Sequence, residues 1–400
     1  MIHIADRLNR IKPSPSSMAG QRVRELLAAG RDVIGLTAGE PDFETPDHIK
    51  EAALRAMRDG KTKYTDVGGT PELKAAIKAK FSRENGLKYE TSEIIVCAGA
   101  KQAIFNALMC TVEHGDEVVI PAPYWVSYPD IVLLAGGRPV FVSCPSESGF
   151  KMLPQQLDHA ITPRTRWVIL NSPSNPSGAA YTRAELKALT DVLLRHPHVS
   201  VLADDIYEHL LYGGREFATV AQIEPALKER TLTINGVSKT YAMTGWRIGY
   251  AGGPATLIKN MIKLQSQSTS NPSSIGQAAA IEALSGPQDF VAASREVFER
   301  RLDKVVRWLN DIPGLRCHEP EGAFYVFVSC AGAIGKKTPG GTIIQNDADF
   351  VMHLLESQGI GVVQGEAYGM SPFFRVSFAA SEAQLQEGCR RIRLACEDLV

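Results

Sequence analysis

Along residues 90–255, short unbroken apolar runs alternate with stretches of helical spacing. The runs are EIIVCAG at 93–99, DEVVIPA at 116–122, RPVFVS at 138–143, RWVILNSP at 166–173, VSVLADD at 199–205 and a segment at 231–234. Consecutive Val, Ile and Leu, rather than apolar–polar alternation, suit strands buried on both faces. AKQAIFNALMCTV and TRAELKALTDVLLRH, which follow two of these runs, read as helices. The alternation predicts an α/β domain with a mostly parallel central sheet and helices on both faces. Further on, helical stretches near 287–310 and 381–399 bracket GAFYVFVS, GVVQGE and FFRVSFA, which read as short strands of a smaller α+β domain. The expected division is 1–45 as a segment joining the small domain, 46–300 as the large domain and 301–400 as the small one. GAIGKKTPGGT at 332–342 reads as an exposed loop.

Composition narrows the function class. Of 400 residues, 44% are hydrophobic and 22% charged, enough for a large core. A formal net charge of −1 gives no attraction to nucleic acid or an anionic membrane surface. No apolar run reaches the roughly 18 residues of a spanning helix, and MIHIADRLNRIKPSPSS lacks the apolar core of a secretion signal. The seven cysteines are scattered with no C-x-x-C, so neither a disulfide framework nor a zinc site is indicated, and no metal is assigned. They read as core fillers in a cytoplasmic protein.

In open α/β sheets, ligands bind at the carboxyl ends of the strands, and chemistry-bearing residues collect there. The first run ends in Gly99-Ala100-Lys101 and opens a helix, where free backbone N–H groups suit a phosphate. The fourth ends in Asn171-Ser-Pro-Ser-Asn175, a composition that turns also favour. The fifth ends in Asp204-Asp205-Ile-Tyr207, where a carboxylate either caps the next helix or holds a ring nitrogen protonated. The sixth delivers Lys239, within NGVSKTYAMTGWRIGY. A phosphate cradle, an acid, an Asn, a Tyr and a strand-end Lys together fit pyridoxal 5′-phosphate held as a Schiff base.

The segment Gly-Val-Ser-Lys-x-x-Ala-Met-x-Gly-x-Arg-Ile-Gly at 236–249 resembles the lysine attachment site of fold-type I aminotransferases of the aspartate aminotransferase class. The subgroup it resembles is bacterial and also transaminates prephenate. The similarity continues through LTAGEPDFETP, GAKQAIFN, PAPYWVSYP, NSPSNPSGA, DDIYEHL, PEGAFYVF and FFRVSFA. The resemblance implies that Lys239 carries the cofactor and shuttles the substrate Cα proton. Asp204 pairs with the ring nitrogen, Tyr207 and Asn175 bond the ring's phenolic oxygen, and Trp125 stacks on the ring. Arg247, with Ser238, Lys101 and the backbone at Gly99 and Ala100, holds the phosphate; Gly236 stands where some relatives carry a phosphate-binding Ser. Tyr64 reaches the phosphate from a partner subunit, which implies a homodimer with shared sites.

For substrate, the resemblance assigns the α-carboxylate to Arg375 and the Gly39 N–H, with Trp125 and Asn175 alongside. Lys101, assisted by Asn271 of the partner subunit, meets a second carboxylate, and Thr37 with Lys101 matches the pair associated with prephenate. Lys12-Pro13 is followed by Ser14-Pro15-Ser16-Ser17, so Pro15 alters a segment whose hydroxyls assist in relatives. Asp205 reads as a cap or surface group, and His196, His198 and His209 as solvent-facing or capping.

The implied activity is transfer of an amino group between aspartate or glutamate and 2-oxoglutarate or oxaloacetate, with prephenate as a further acceptor. An aromatic or alanine aminotransferase, or a β-lyase, would use the same fold and chemistry. Nucleotide binding fails because GAIGKKT lacks the first P-loop glycine, Cys330 standing there. A DNA-binding regulator would need a basic module that the chain lacks.

Overall fold

The computed structural model describes residues 2–13 and 15–400. Its largest sheet contains the six expected strands: β2 (Ile94–Cys97), β3 (Glu117–Ala122), β4 (Arg138–Ser143), β5 (Thr165–Asn171), β6 (Ser200–Asp204) and β7 (Thr231–Gly236). A seventh, β8 (Gly249–Gly252), completes the order β2-β8-β7-β6-β5-β3-β4. Neighbours from β4 to β7 run parallel, and β8 lies antiparallel between β7 and β2. Successive side chains enter different cores: Ile169 and Leu202 pack on one face, Val168, Leu170 and Val201 on the other. Each fully buried Ile or Leu contributes about 2 kcal/mol, and this two-sided demand makes the runs continuously apolar.

β8 is absent from the apolar pattern because its sequence, Gly249-Tyr250-Ala251-Gly252, holds no Val, Ile or Leu. A Cβ on Gly249 would lie 2.2 Å from the Ala100 backbone nitrogen, so only glycine lets the helix Ala100–Thr111 start against this strand. Its strand character comes from backbone pairing on both sides.

The second sheet has the order β12-β13-β10-β9, all antiparallel, from β9 (Arg316–Cys317), β10 (Tyr325–Ser329), β12 (Val363–Gln364) and β13 (Phe373–Ser377). The stretch GVVQGE, expected as one strand, contributes to two: β11 (Ile360–Gly361) pairs in parallel with β1 (Ile34–Gly35), and β12 joins the second sheet. Leu36 follows β1 into the same core as Phe298, Phe324 and Phe374. The loop at 332–342 is largely exposed, as expected.

Helices at Pro15–Ala28, Asp47–Arg58, Pro71–Asn85, Ala255–Ser266 and Ser274–Ser285 lie beyond those the pattern predicts. The helix Pro71–Asn85 has clear local causes. Thr70 accepts from the Leu73 N–H, Pro71 occupies the first turn, and Gly86 ends it at φ 65°. Leu73, Ile77 and Phe81, four residues apart, are fully buried. All seven cysteines are unpaired thiols, six of them buried. Among the described residues no helix is long and apolar enough to cross a membrane.

Candidate active site

Register brings the strand ends level. Asn171 pairs with Asp204 across β5 and β6, and Asp204 with Ile234 across β6 and β7. Lys239 follows three residues beyond β7, and Ala100 opens a helix just past β2. From the second sheet, β13 projects Arg375 towards the same place, and Thr37 and Gly39 follow β1. These residues border one cavity of about 400 Å³.

Asp204 is buried at the cavity wall. Tyr128 Oη donates to its Oδ2 at 2.6 Å, and its Oδ1 has no partner. Burial raises its pKa to about 6, against the hydrogen bond from Tyr128 and the charge of Lys239. Asn171 Nδ2 donates to the Asp204 carbonyl at 2.9 Å and fixes the strand end. Lys239 Nζ donates to the Gly39 carbonyl. Burial pushes its pKa down to about 8; Glu40 opposes the shift, and the cations Arg247 and Arg375 reinforce it. Tyr207 lies 3.0 Å from Tyr325, hydroxyl to hydroxyl.

Arg375 is only 2% exposed. Nη1 donates to Asn175 Oδ1 at 3.0 Å and Nη2 to the Thr37 carbonyl at 2.7 Å, while Nε has no partner. Its guanidinium lies over the Tyr325 ring at 4.3 Å. Among the described residues no carboxylate pairs with it, so a buried cation faces a cavity in need of an anion.

At the other end, Gly99 has φ +89°, and a Cβ there would overlap the Arg247 guanidinium at 2.3 Å. Arg247 itself holds φ +56°, a strained conformation for a residue with a side chain. Its guanidinium donates to the carbonyls of Thr244 and Ala98. Together with the start of the helix Ala100–Thr111 this forms an anion cradle. Ser238 also lines the cavity. Lys101 Nζ sits 4.8 Å from the Trp125 ring centroid, its pKa lowered by desolvation and by Arg247.

The cavity thus brings together Lys239, Asp204, Tyr207, Asn175, Arg375 and Arg247, with Lys101, Trp125, Ser238, Ala100, Thr37 and Gly39 beside them. Gly99 adjoins it through Arg247. Two expected residues lie elsewhere in the chain's own fold. Tyr64 is 92% exposed, beside Lys61 and Thr65, and Asn271 turns its amide to the Pro272 carbonyl. Ser17 lines the cavity, and Ser14 lies outside the described residues.

Asp205 requires a correction. It is neither a cap nor a surface group but is buried, because the opposite face of the sheet is covered as fully as the first. His209 is likewise half-buried, between Thr240 and Glu84, whereas His198 is exposed and His196 pairs with Asp158. Tyr128, Tyr325 and Glu40 are site residues absent from the expected set. Tyr128, in the first turn of the helix Ser127–Leu134, meets the Trp125 ring edge to face at 5.3 Å.

A family model described as aminotransferase class I and II matches residues 31–392. The chain belongs to that family. This aminotransferase is 59% identical to the aspartate/prephenate aminotransferase of Cereibacter sphaeroides, covering 100% of both chains. It is 58% identical to the aspartate aminotransferase of Rhizobium meliloti, over 99% of this chain and 96% of that one. Among solved structures, the Rhizobium meliloti aspartate aminotransferase superposes with a TM-score of 0.97 at 57% identity, covering 100% of both chains. The Thermus thermophilus aspartate aminotransferase with maleate gives 0.93 at 41%, over 99% of this chain and 100% of that one.

Proposed function

We propose that the aminotransferase uses pyridoxal 5′-phosphate to move the amino group of L-aspartate or L-glutamate to 2-oxoglutarate or oxaloacetate, with prephenate as a further acceptor. The observation carrying this reading is the buried Asp204 carboxylate, one oxygen unpartnered, on the same cavity as Lys239. That oxygen is an acceptor for a protonated ring nitrogen. The space at Gly99, which a Cβ would fill, and the Arg247 guanidinium fit a phosphate. A lysine with a pKa near 8 is partly neutral at physiological pH and can attack an aldehyde. The residues therefore fit the cofactor.

Bound there, the cofactor supplies an aldehyde for the amino group and a ring that accepts the electron pair left when the substrate Cα–H bond breaks. Lys239 Nζ would be the base that takes the substrate Cα proton and holds it for return. Asp204 Oδ1 keeps the ring nitrogen protonated, with Tyr128 orienting the carboxylate. Tyr207 and Asn175 would hydrogen-bond the ring's phenolic oxygen, and Trp125 would cover the ring. Arg247, Ser238, Lys101 and the backbone at Gly99 and Ala100 hold the phosphate.

Arg375 clamps the α-carboxylate through its planar fork, already oriented by Asn175 and Thr37, and the Gly39 N–H adds a donor. Lys101 meets the second carboxylate of a dicarboxylic substrate. Prephenate also carries two carboxylates, and Thr37 stands on the Arg375 side of the cavity. The division into a segment 1–45 with domains 46–300 and 301–400 belongs to this reading, supported by the β1–β11 pairing. So does a homodimer in which Tyr64 and Asn271 serve the partner's site, supported by the 92% exposure of Tyr64.

Initial-rate kinetics test the proposal. Parallel lines in double-reciprocal plots of aspartate against 2-oxoglutarate are expected, and Lys239→Ala abolishes turnover. Converging lines, or full activity in that variant, would contradict it. Arogenate formed from prephenate with either donor supports the further activity, and its absence removes that activity.

A further inference from the structure

Behind the Asp204–Tyr207 turn lies a charged cluster outside the cavity. Lys80 and Glu208 are 1% and 5% exposed, and their Nζ and Oε1 atoms are paired. Glu208 also accepts from Asn85 Nδ2 at 2.7 Å and from Asn235 Nδ2 at 2.8 Å. Lys80 gives a second hydrogen bond to Asn85 Oδ1 at 2.7 Å. At its edge, His209 lies 3.1 Å from both Glu84 Oε2 and Thr240 Oγ1.

The carboxylates of Glu84 and Glu208 and the His209 ring could also surround a metal ion, their ligand atoms lying within 4.8 Å of one another. The Lys80 ammonium already touches Glu208 and lies 3.5 Å from Glu84, so the cation of this cluster is a lysine. A buried ion pair is poor value as a stabiliser, because desolvation consumes the attraction and apolar replacements are often as stable. What distinguishes this one is where its partners stand in the chain. Glu208 directly follows Tyr207, Thr240 directly follows Lys239, and Asn235 lies in β7, which leads to Lys239. Lys80, Glu84 and Asn85 all come from the last turns of the helix Pro71–Asn85.

We infer that the Lys80–Glu208 network is a positioning device, fastening the Asp204–Tyr207 turn and the Asn235–Thr240 segment to one helix so that Asp204, Tyr207 and Lys239 keep their spacing. This rests on the functional reading above. The network touches no reacting atom and acts through the segments it joins.

The test uses the holoenzyme and the pair variant Lys80→Met/Glu208→Met, which removes both charges and strands neither, beside each single variant. Turnover of the pair variant should fall about tenfold or more, as small misplacements of reacting groups cost. KM for aspartate should stay within about twofold, and the pH midpoint of the bound cofactor's visible band should shift. Single variants falling further than the pair would reflect a stranded charge, and wild-type turnover and midpoint in the pair variant would overturn the proposal even if its melting temperature dropped. Should the pair variant fail to fold, His209→Ala removes the edge contacts to both Thr240 and Glu84 and leaves the Lys80–Glu208 pair in place. A shifted midpoint with lower turnover is then expected, and unchanged values for both would overturn the idea. Wild-type enzyme without a visible band or transamination would instead remove the underlying reading, and the proposal with it.

Discussion

Replacing Asp204 with asparagine keeps the shape of the side chain and its bond from Tyr128 while removing the charge. The carboxylate is buried, and one oxygen lacks a partner. Both residues leave an unpartnered polar atom facing the cavity, so that cost cancels and the charge remains. Burial raises the Asp204 pKa from 3.8 to about 6, so the folded chain holds this proton more tightly than the unfolded chain does. Stability from this group is therefore fullest below the unfolded value and declines as pH rises towards 6. A rise of about two units, at about 1.4 kcal/mol each, places the full penalty near 3 kcal/mol. Cofactor-free Asp204→Asn should consequently melt above wild type at about pH 7.5, by a few degrees, with the gap closing towards about pH 4. Its turnover should fall by about 100-fold or more, since the ring nitrogen loses its anionic partner. Paired thermal melts across pH, with an activity assay, read both effects. A variant that melts at or below wild type at neutral pH would refute the reasoning that this charge is kept at a cost for a cationic ligand.

Tyr128→Phe removes the 2.6 Å bond to Asp204. The carboxylate pKa should then rise further, by about one to two units, and a titration of cofactor affinity should show the loss on acidification beginning at higher pH; an unshifted profile contradicts this. Arg375→Lys keeps the charge but gives up the fork held by Asn175 and Thr37. KM for aspartate should rise about 100-fold with a smaller change in kcat, and an unchanged KM would remove the carboxylate role. Lys101→Ala should cost dicarboxylic donors about tenfold or more in kcat/KM while sparing aromatic ones; equal losses would show that Lys101 does not select substrate.

Five strands of the central sheet could be read from the sequence because burial on both faces demands unbroken apolar runs, and β4, half-exposed at the sheet edge, because Val140, Phe141 and Val142 are good strand formers. β8 could not, since Gly249 is small to admit the Ala100 backbone rather than to fill a core. Strand alternation correctly separated Asp204 from Asp205, yet it says nothing about what covers the second face, and there Asp205 is buried. Lys239, Arg247 and Arg375 were legible from motifs whose residue types match the chemistry. Tyr128 and Tyr325 were not, because what gives them meaning is contact with Asp204 and Tyr207, 76 and 118 residues away. The Lys80–Glu208 pair spans 128 residues and left no more trace.

The central claim, that Lys239 holds pyridoxal phosphate and yields it to the amino group of aspartate, is tested most directly by the visible absorbance of the purified protein. A band should be present, disappear on addition of L-aspartate and return on addition of 2-oxoglutarate. A protein that shows no band even after pyridoxal phosphate is supplied, or a band that aspartate leaves unchanged, would contradict it.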